Sequence, residues 1–174
     1  MQCHVFLTGN IQVGKSTIIQ KVIHELGISP GGFQTSWGDP LPDGSSDLFL
    51  LGMNEPPSRD RIAAHRFGSG RGIIAFPEIF DTVGSRLLAE ASTSSLIIMD
   101  ELGFIEKDAA GFQNTVLSTL NKSVPVLGVV RNMQTPFLDK VRAHPNVNVI
   151  IVTTENREEI YQQVLAVFKK SYSR

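Results

Sequence analysis

The sequence contains little cysteine and no long apolar stretch. Its single cysteine, Cys3, cannot form a disulfide bond within the chain. The place of Cys3 in an apolar run predicts a buried thiol, because free cysteine behaves as a small hydrophobe. No apolar stretch approaches the roughly 20 residues that a membrane-spanning helix needs. The N-terminus has no charged region followed by an apolar segment and a cleavage site. We therefore expect a cytoplasmic protein that has no membrane partner.

Neither sign of charge is in excess. The chain has 16 basic and 17 acidic residues, which gives a formal net charge of −1. Binding to nucleic acid regardless of its sequence usually needs a basic surface, so the overall charge gives no strong signal for such a partner. With 41% hydrophobic and 19% charged residues the composition is that of a globular protein. The length of 174 residues predicts a single domain, 1–174, that can bury a substantial core.

Short apolar runs alternate with segments whose apolar residues recur at helical spacing. The predicted strands lie at residues 3–7, 96–99, 124–130 and 147–152, and the predicted helices at 15–26, 79–91, 112–120, 137–141 and 160–168. Alternation of this kind indicates parallel strands whose connecting helices cover both faces of one sheet. We therefore predict a three-layer α/β fold with a mainly parallel sheet.

The part of the chain that follows the first helix is predicted to contain an antiparallel hairpin insertion. Strands are predicted at residues 33–35, 47–51 and 72–76. A loop rich in Gly, Pro, Asp and Ser is predicted at residues 36–47. Residues 55–71 carry four arginines: Arg59, Arg61, Arg66 and Arg71. These arginines are predicted to form either the solvated face of a helix or a lid that reaches a bound phosphate.

Residues 9–17 match the phosphate-binding loop pattern G-x-x-x-x-G-K-[ST]. They lie between a predicted strand and a predicted helix, where successive backbone N–H groups can curl around phosphate oxygens. Lys15 is expected to reach the β- and γ-phosphates of a nucleotide, and the Ser16 hydroxyl to ligate Mg²⁺. The expected nucleotide-binding residues are Gly9, Asn10, Ile11, Gln12, Val13, Gly14, Lys15, Ser16 and Thr17. For Thr17 two interpretations stay open, contact with the α-phosphate or packing.

Two carboxylates, Asp100 and Glu101, follow the apolar run 96–99. Ligands of open α/β sheets bind beyond the carboxyl ends of the strands, so both side chains are expected near the phosphate loop. Asp100 suits the Mg²⁺ position that partners Ser16, and Glu101 is expected to take a proton from a water behind the γ-phosphate. Adjacent side chains of a regular strand point to opposite faces, so we predict that the strand ends at about this pair. The alternative interpretation of each acid is a turn residue without a role in nucleotide binding.

The motifs in this order resemble one known family, the small P-loop nucleoside-triphosphatases first described from thermophiles and also called cancer-related nucleoside-triphosphatases. Besides the phosphate loop, three segments are similar to family signatures: Gly-Gly-Phe-Gln-Thr at 31–35, Asp-Glu-Leu-Gly-Phe-Ile-Glu at 100–106 and Thr-Glu-Asn-Arg at 154–157. The resemblance covers most of the chain. It implies slow Mg²⁺-dependent hydrolysis of nucleoside triphosphates with broad base tolerance, on a RecA-like or kinase-like sheet. Family roles carry over onto Lys15, Ser16, Asp100 and Glu101.

The chain departs from the family pattern in two places. The family continues its Gly-Phe-x-Thr segment with Glu-x-Arg, whereas this chain has Ser-Trp-Gly-Asp-Pro at 36–40. Trp37 is expected either to stack on a nucleobase or to pack its loop onto the body of the protein. The family has a histidine after the strand that ends at Val130, whereas this chain has Arg131. Arg131 is expected either to neutralise charge on the γ-phosphate in the transition state or to be a surface arginine.

The combination of the phosphate loop with the Asp100–Glu101 pair favours hydrolysis of ATP or GTP, with Lys15, Glu101 and Arg131 as the expected catalytic residues. A glutamate directly after the strand aspartate suits activation of water. Two alternatives stay open. The first is a nucleotide or small-metabolite kinase, which needs a pocket for a second substrate. The second is a regulatory module in which hydrolysis resets contact with a partner. The sequence gives no signal for the oligomeric state.

Overall fold

The computed structural model describes residues 4–172, and Cys3 lies outside the described residues. The strands are β1 (His4–Thr8), β2 (Gly31–Trp37), β3 (Ser46–Gly52), β4 (Ile62–Arg66), β5 (Ile73–Ala75), β6 (Ile97–Leu102), β7 (Val126–Val130) and β8 (Val147–Ile151). The helices are α1 (Lys15–Leu26), α2 (Pro77–Ile79), α3 (Ser85–Glu90), α4 (Ala110–Leu120), α5 (Pro136–Arg142) and α6 (Arg157–Tyr172). A π-helical turn at Phe80–Gly84 joins α2 to α3. Within residues 4–172, none of these helices combines the length and the apolar character that crossing a membrane requires.

Within the described part of the chain, eight strands form one sheet in the order β5-β4-β3-β2-β6-β7-β1-β8. The five strands β2, β6, β7, β1 and β8 run parallel, and helices connect them. The strands β3, β4 and β5 extend the sheet beyond β2 as an antiparallel meander. The predicted α/β fold, with a mainly parallel sheet and an antiparallel insertion, is confirmed.

The arginine-rich segment at residues 55–71 does not form the predicted helix face. It contains a short 3₁₀ turn at Arg59–Arg61 and then β4, which pairs with β3 and β5. Ala63 and Ala64 of β4 are both fully buried, so the strand lacks the alternation that would have revealed it in the sequence. Pairing with the neighbouring strands β3 and β5 makes part of this segment a strand. The prediction of a helix was therefore wrong.

The predicted loop at residues 36–47 is shorter in the structure. β2 continues through Trp37, and β3 begins at Ser46, so the connection between them is confined to residues 38–45. Trp37 pairs across the ladder with Leu48 of β3. Trp37 is therefore a strand residue, held by the sheet and not by a flexible loop.

Two apolar layers cover the two faces of the sheet. On one face Phe112 of α4 lies between Phe33 of β2 and Phe80 of the π-helical turn, with ring centroids 5.4 Å apart in each pair. On the other face α1 and α6 pack on the parallel strands through fully buried residues such as Val22 and Phe168. Burial of this kind contributes about 25 cal/mol per Å² of apolar surface. The two layers hold the carboxyl ends of the parallel strands in fixed relative positions.

Candidate active site

The phosphate-binding loop lies where the sequence predicts it, between β1 and α1. Gly9 has a φ of 137°, and a Cβ there would lie 2.3 Å from the carbonyl oxygen of Val152. Only glycine fits that approach, because real Cβ contacts are never so close. Gly14, with a φ of 105°, directly precedes Lys15 at the start of α1. Backbone N–H groups at this helix end have no partner within the helix, which suits an anion.

The predicted nucleotide-binding residues divide into two groups. All residues of 9–17 except Val13 line one cavity of about 810 Å³. The side chain of Val13 instead belongs to the apolar layer between the sheet and α1. Val13 can therefore meet a phosphate only through its backbone. Ile11, by contrast, is 76% exposed at the tip of the loop.

Lys15 folds across the loop that precedes it. Its Nζ donates hydrogen bonds to the carbonyl oxygens of Gly9, at 3.0 Å, and Asn10, at 2.6 Å. Burial lowers the pKa of Lys15, and the negative charges of Glu101 and Asp100 partly oppose this effect. The ammonium group therefore lies within the electrostatic reach of both acids of β6.

Asp100 and Glu101 lie in the last three residues of β6, so the prediction that the strand ends at about this pair is confirmed to within one residue. β6 continues to Leu102, and its pairing with β7 shifts register between Met99 and Leu102. An irregularity of this kind inserts residues that do not follow the regular alternation of the strand. The peptide bond between Asp100 and Glu101 is cis. Both acidic residues line the cavity that the phosphate loop lines.

Ser16 and Asp100 meet although they are far apart in the chain. The Ser16 hydroxyl donates a hydrogen bond to the Asp100 carboxylate, and this bond lowers the pKa of that carboxyl. Burial has the larger, opposite effect, and together with the nearby Glu101 it raises the pKa of Asp100 to about 6. Both groups offer oxygen ligands, which Mg²⁺ prefers.

The two oxygen ligands from Ser16 and Asp100 suit a metal ion whose other ligands are waters and phosphate oxygens. Among residues 4–172 no group of three or more His, Cys, Asp or Glu side chains could hold a metal. Mg²⁺ in nucleotide sites commonly uses one or two protein oxygens and completes its octahedron with waters and phosphate oxygens. The residues present therefore fit Mg²⁺ that arrives with a nucleotide.

Arg131 lies in the wall of the same cavity and is paired with Glu101. Its Nε donates to Oε1 of Glu101 at 2.8 Å, and both side chains are about one-third exposed, at 37% and 31%. The backbone that follows β7 is held by Arg142, which donates from Nη2 to the carbonyl oxygens of Arg131 and Met133. Arg131 therefore lies in the candidate site, and its role at the γ-phosphate stays a prediction.

Glu106 is a buried acid to which the sequence analysis assigned no role. Its side chain lines the cavity although the residue is only 2% exposed, and its Oε1 accepts the N–H of Gly103 at 2.5 Å. Burial raises its pKa to about 7, and the nearby Glu101 carboxylate adds to the rise. The sequence feature that could have indicated a role for Glu106 is its position as the last residue of the Asp-Glu-x-Gly-x-x-Glu segment. The hydrogen bond fastens the turn that follows Glu101.

Replacement of Glu106 by glutamine is expected to remove part of the pH dependence of stability. Because the folded-state pKa is raised, Glu106 contributes stability that is full below about pH 4.5 and lost as pH rises through about 7. The rise from 4.5 to about 7 corresponds to roughly 3 kcal/mol. Glutamine is neutral and can still accept the N–H of Gly103. Urea unfolding of both proteins at pH 5 and pH 8 measures the effect.

The comparison of the two proteins isolates Glu106 from other titrating groups such as Asp100 and His4. We expect the free energy of unfolding of the wild type to fall relative to the variant by up to about 3 kcal/mol between these pH values. The exposed Glu90, changed to glutamine, serves as a matched control and should behave as the wild type. If the difference in free energy of unfolding between the wild type and the variant is the same at both pH values, the assignment of a protonated, buried Glu106 is contradicted.

The outer part of the cavity is formed by the antiparallel strands and by the loops after β6 and β7. Its remaining lining residues are Thr35, Trp37, Leu48, Arg66, Ile73, Phe80, Gly103, Phe104, Ile105, Glu106, Asn132 and Met133. The guanidinium carbon of Arg66 lies 4.6 Å from the centre of the Trp37 ring. Of the four arginines at 55–71, Arg66 therefore reaches the cavity. Arg61 instead pairs with Glu55, at 2.7 Å.

These elements together define a P-loop nucleotide-binding protein of the α/β class: a parallel sheet, a phosphate loop between β1 and α1, and an acidic pair on β6 beside it. The chain belongs to the NTPase family, because the model of the family described as NTPase matches residues 4–165. It is 29% identical to the nucleoside-triphosphatase THEP1 of Methanocaldococcus jannaschii over 170 residues, which cover 92% of this chain and 94% of that protein. The nucleoside-triphosphatase THEP1 of Hyperthermus butylicus is also 29% identical over 192 residues, with 100% of this chain and 95% of that protein covered.

Solved structures agree with this fold. The crystal structure of THEP1 from the hyperthermophile Aquifex aeolicus matches with a TM-score of 0.76 and 21% identity, covering 95% of this chain and 98% of that one. The solution structure of a human cancer-related nucleoside triphosphatase matches with a TM-score of 0.65 and 23% identity, covering 97% and 98%. The resemblance stated from the motifs is thereby confirmed. The prediction of an enzyme of the nucleoside-triphosphatase class, a hydrolase, is confirmed as well.

Proposed function

We propose that this protein hydrolyses Mg²⁺-bound nucleoside triphosphates, ATP and GTP among them, to the diphosphate and inorganic phosphate. The observation that carries the proposal is that one cavity is lined by the phosphate loop, the Asp100–Glu101 pair and Arg131. The curated relatives are named nucleoside-triphosphatases, which supports the same reaction. Broad tolerance for the base and a cytoplasmic location stay predictions from the sequence.

Residues 9–17 hold the triphosphate in this proposal. Their backbone N–H groups and the start of α1 surround the phosphate oxygens, and Lys15 exchanges its bonds to the Gly9 and Asn10 carbonyls for β- and γ-phosphate oxygens. Ser16 and Asp100 would hold Mg²⁺, which supplies positive charge to the β- and γ-phosphates when it is bound. Thr17 lines the same cavity, and its contact with the α-phosphate stays a prediction.

Glu101 takes the proton from the attacking water. The water oxygen bonds to the γ-phosphorus. The bond between the γ-phosphorus and the oxygen that bridges the β- and γ-phosphates breaks, and the diphosphate leaves with the electron pair. Arg131 orients the Glu101 carboxylate through Nε, so the two terminal nitrogens of its guanidinium can meet a γ-phosphate oxygen. Positive charge at that place stabilises the charge that develops in the transition state.

The test is release of inorganic phosphate from ATP and from GTP at matched concentrations, with Mg²⁺ and with the Mg²⁺ removed by EDTA. We expect turnover of both nucleotides with Mg²⁺ and loss of at least about 90% of this turnover after chelation. The protein supplies few metal ligands, so it cannot retain the ion against EDTA. Restoration by added Mg²⁺ controls for damage by EDTA. Turnover that is insensitive to chelation would contradict the assignment of Ser16 and Asp100.

A further inference from the structure

The cavity extends well beyond the groups that hold a triphosphate. Its phosphate end lies on β1 and α1, and the acidic pair lies on β6, two strands away in the sheet. The part formed by Thr35, Trp37, Leu48, Arg66 and Ile73, here called the hairpin half, lies on β2 to β5, beyond β6. Neighbouring strands are about 4.8 Å apart, so β4 is roughly 14 Å further along the sheet than β6.

In the proposed function, a nucleotide bound on residues 9–17 points its base away from the hairpin half. With the γ-phosphate at Glu101 on β6, as in the proposed function, the ribose and base extend in the opposite direction, past β1 toward the start of α6. Arg157, the first residue of α6, lies beside the phosphate loop, because a Cβ built at Gly14 would lie 3.6 Å from its Cδ. α6 follows β8, which lies on the opposite side of β1 from β6. The hairpin half is therefore left to another molecule.

The walls of the hairpin half have the chemistry of a site for a planar ring. Trp37, Leu48 and Ile73 give it apolar and aromatic surface. The guanidinium of Arg66 lies over the Trp37 ring at 4.6 Å and donates from Nη2 to the Ser46 hydroxyl at 3.0 Å. These two contacts orient the guanidinium plane, and its other N–H groups can donate to carbonyl or ring-nitrogen acceptors of a ligand.

We propose that the hairpin half binds a second small molecule beside the nucleoside triphosphate, a nucleoside or a related heteroaromatic compound with hydrogen-bond acceptors on its ring. The ring lies against Trp37, and Arg66 recognises its acceptor edge. This inference rests on the proposed function for the placement of the γ-phosphate at Glu101.

Trp37 reports directly on this site, because it is the only tryptophan of the chain. The protein is first saturated with Mg²⁺ and a non-hydrolysable ATP analogue, and adenosine, guanosine, cytidine, uridine and thymidine are titrated in turn. We expect a saturable change in tryptophan fluorescence with at least one nucleoside. Arg66→Met should weaken that binding tenfold or more, because the acceptor edge of the ring loses its charged donor. Arg59→Met, an exposed arginine outside the cavity, should bind as the wild type does.

A second measurement separates this site from the site of the nucleotide base. If the two sites are distinct, the apparent affinity for the nucleoside does not fall as the ATP analogue concentration rises. Competition between the two would overturn the proposal, because it would place the nucleotide's own base in the hairpin half. Absence of any saturable signal with all five nucleosides would overturn it as well. The fluorescence signal needs no turnover, so failure of hydrolysis and failure of this site are distinguishable.

Discussion

Replacement of Glu101 by glutamine is expected to lower the turnover number for ATP and GTP by a factor of about 10² to 10⁴. Glutamine has nearly the same shape and can still accept the hydrogen bond from Nε of Arg131, which lies 2.8 Å from Oε1 of Glu101. It cannot take a proton from water at neutral pH. The loss therefore falls on turnover, and the affinity for the nucleotide changes little. Phosphate release at saturating and subsaturating nucleotide separates the two quantities.

The matched control is Asp108→Asn, which also neutralises one carboxylate in the segment after β6 but lies outside the cavity and is exposed. This variant should keep wild-type turnover. Undiminished turnover in Glu101→Gln would remove Glu101 as the base. A rise in the Michaelis constant with constant turnover would instead assign Glu101 to nucleotide binding.

Replacement of Lys15 by alanine is expected to lower kcat/KM for both nucleotides by a factor of about 10² to 10³. The ammonium group at the start of α1 donates hydrogen bonds to the loop carbonyls and feels the negative charges of the acidic pair. Its charge acts in a partly buried place, where electrostatic contacts are stronger than in water. Without the positive charge of Lys15, less of the repulsion between the two carboxylates and the triphosphate is offset. Steady-state phosphate release, together with binding of a fluorescent ATP analogue, measures the loss in catalysis and in affinity.

Lys21→Ala is the matched control on the same helix. Lys21 is about half exposed and pairs with Glu158 of α6 at 3.3 Å. Exposed pairs of this kind contribute about 0–1 kcal/mol, so stability and activity should both stay close to the wild type. Equal loss of activity in both lysine variants would show that the effect of Lys15→Ala comes from damage to α1. Wild-type kcat/KM in Lys15→Ala would exclude the assigned role.

The sequence predicted best those features that depend on neighbouring residues. The phosphate loop is one continuous segment, and the turn, the glycines and the helix start that it needs are all local. The parallel strands were also readable, because strands buried on both faces appear as continuous apolar runs. β4 was missed, because Ala63 and Ala64 are both buried and carry no period-two pattern. The irregular pairing of β6 with β7 was not predicted, because it arises between strands.

By itself, the sequence determined that the chain forms an α/β fold with a phosphate-binding loop and that an acidic pair follows a buried strand. Only the tertiary structure decided that Ser16 meets Asp100, that Arg131 pairs with Glu101, and that Trp37 and Arg66 lie on the far side of the same cavity. The physical reason is the range of the interactions. Backbone conformation and periodicity act over a few residues. Contacts between side chains distant in the chain exist only after strand order and register have brought them together.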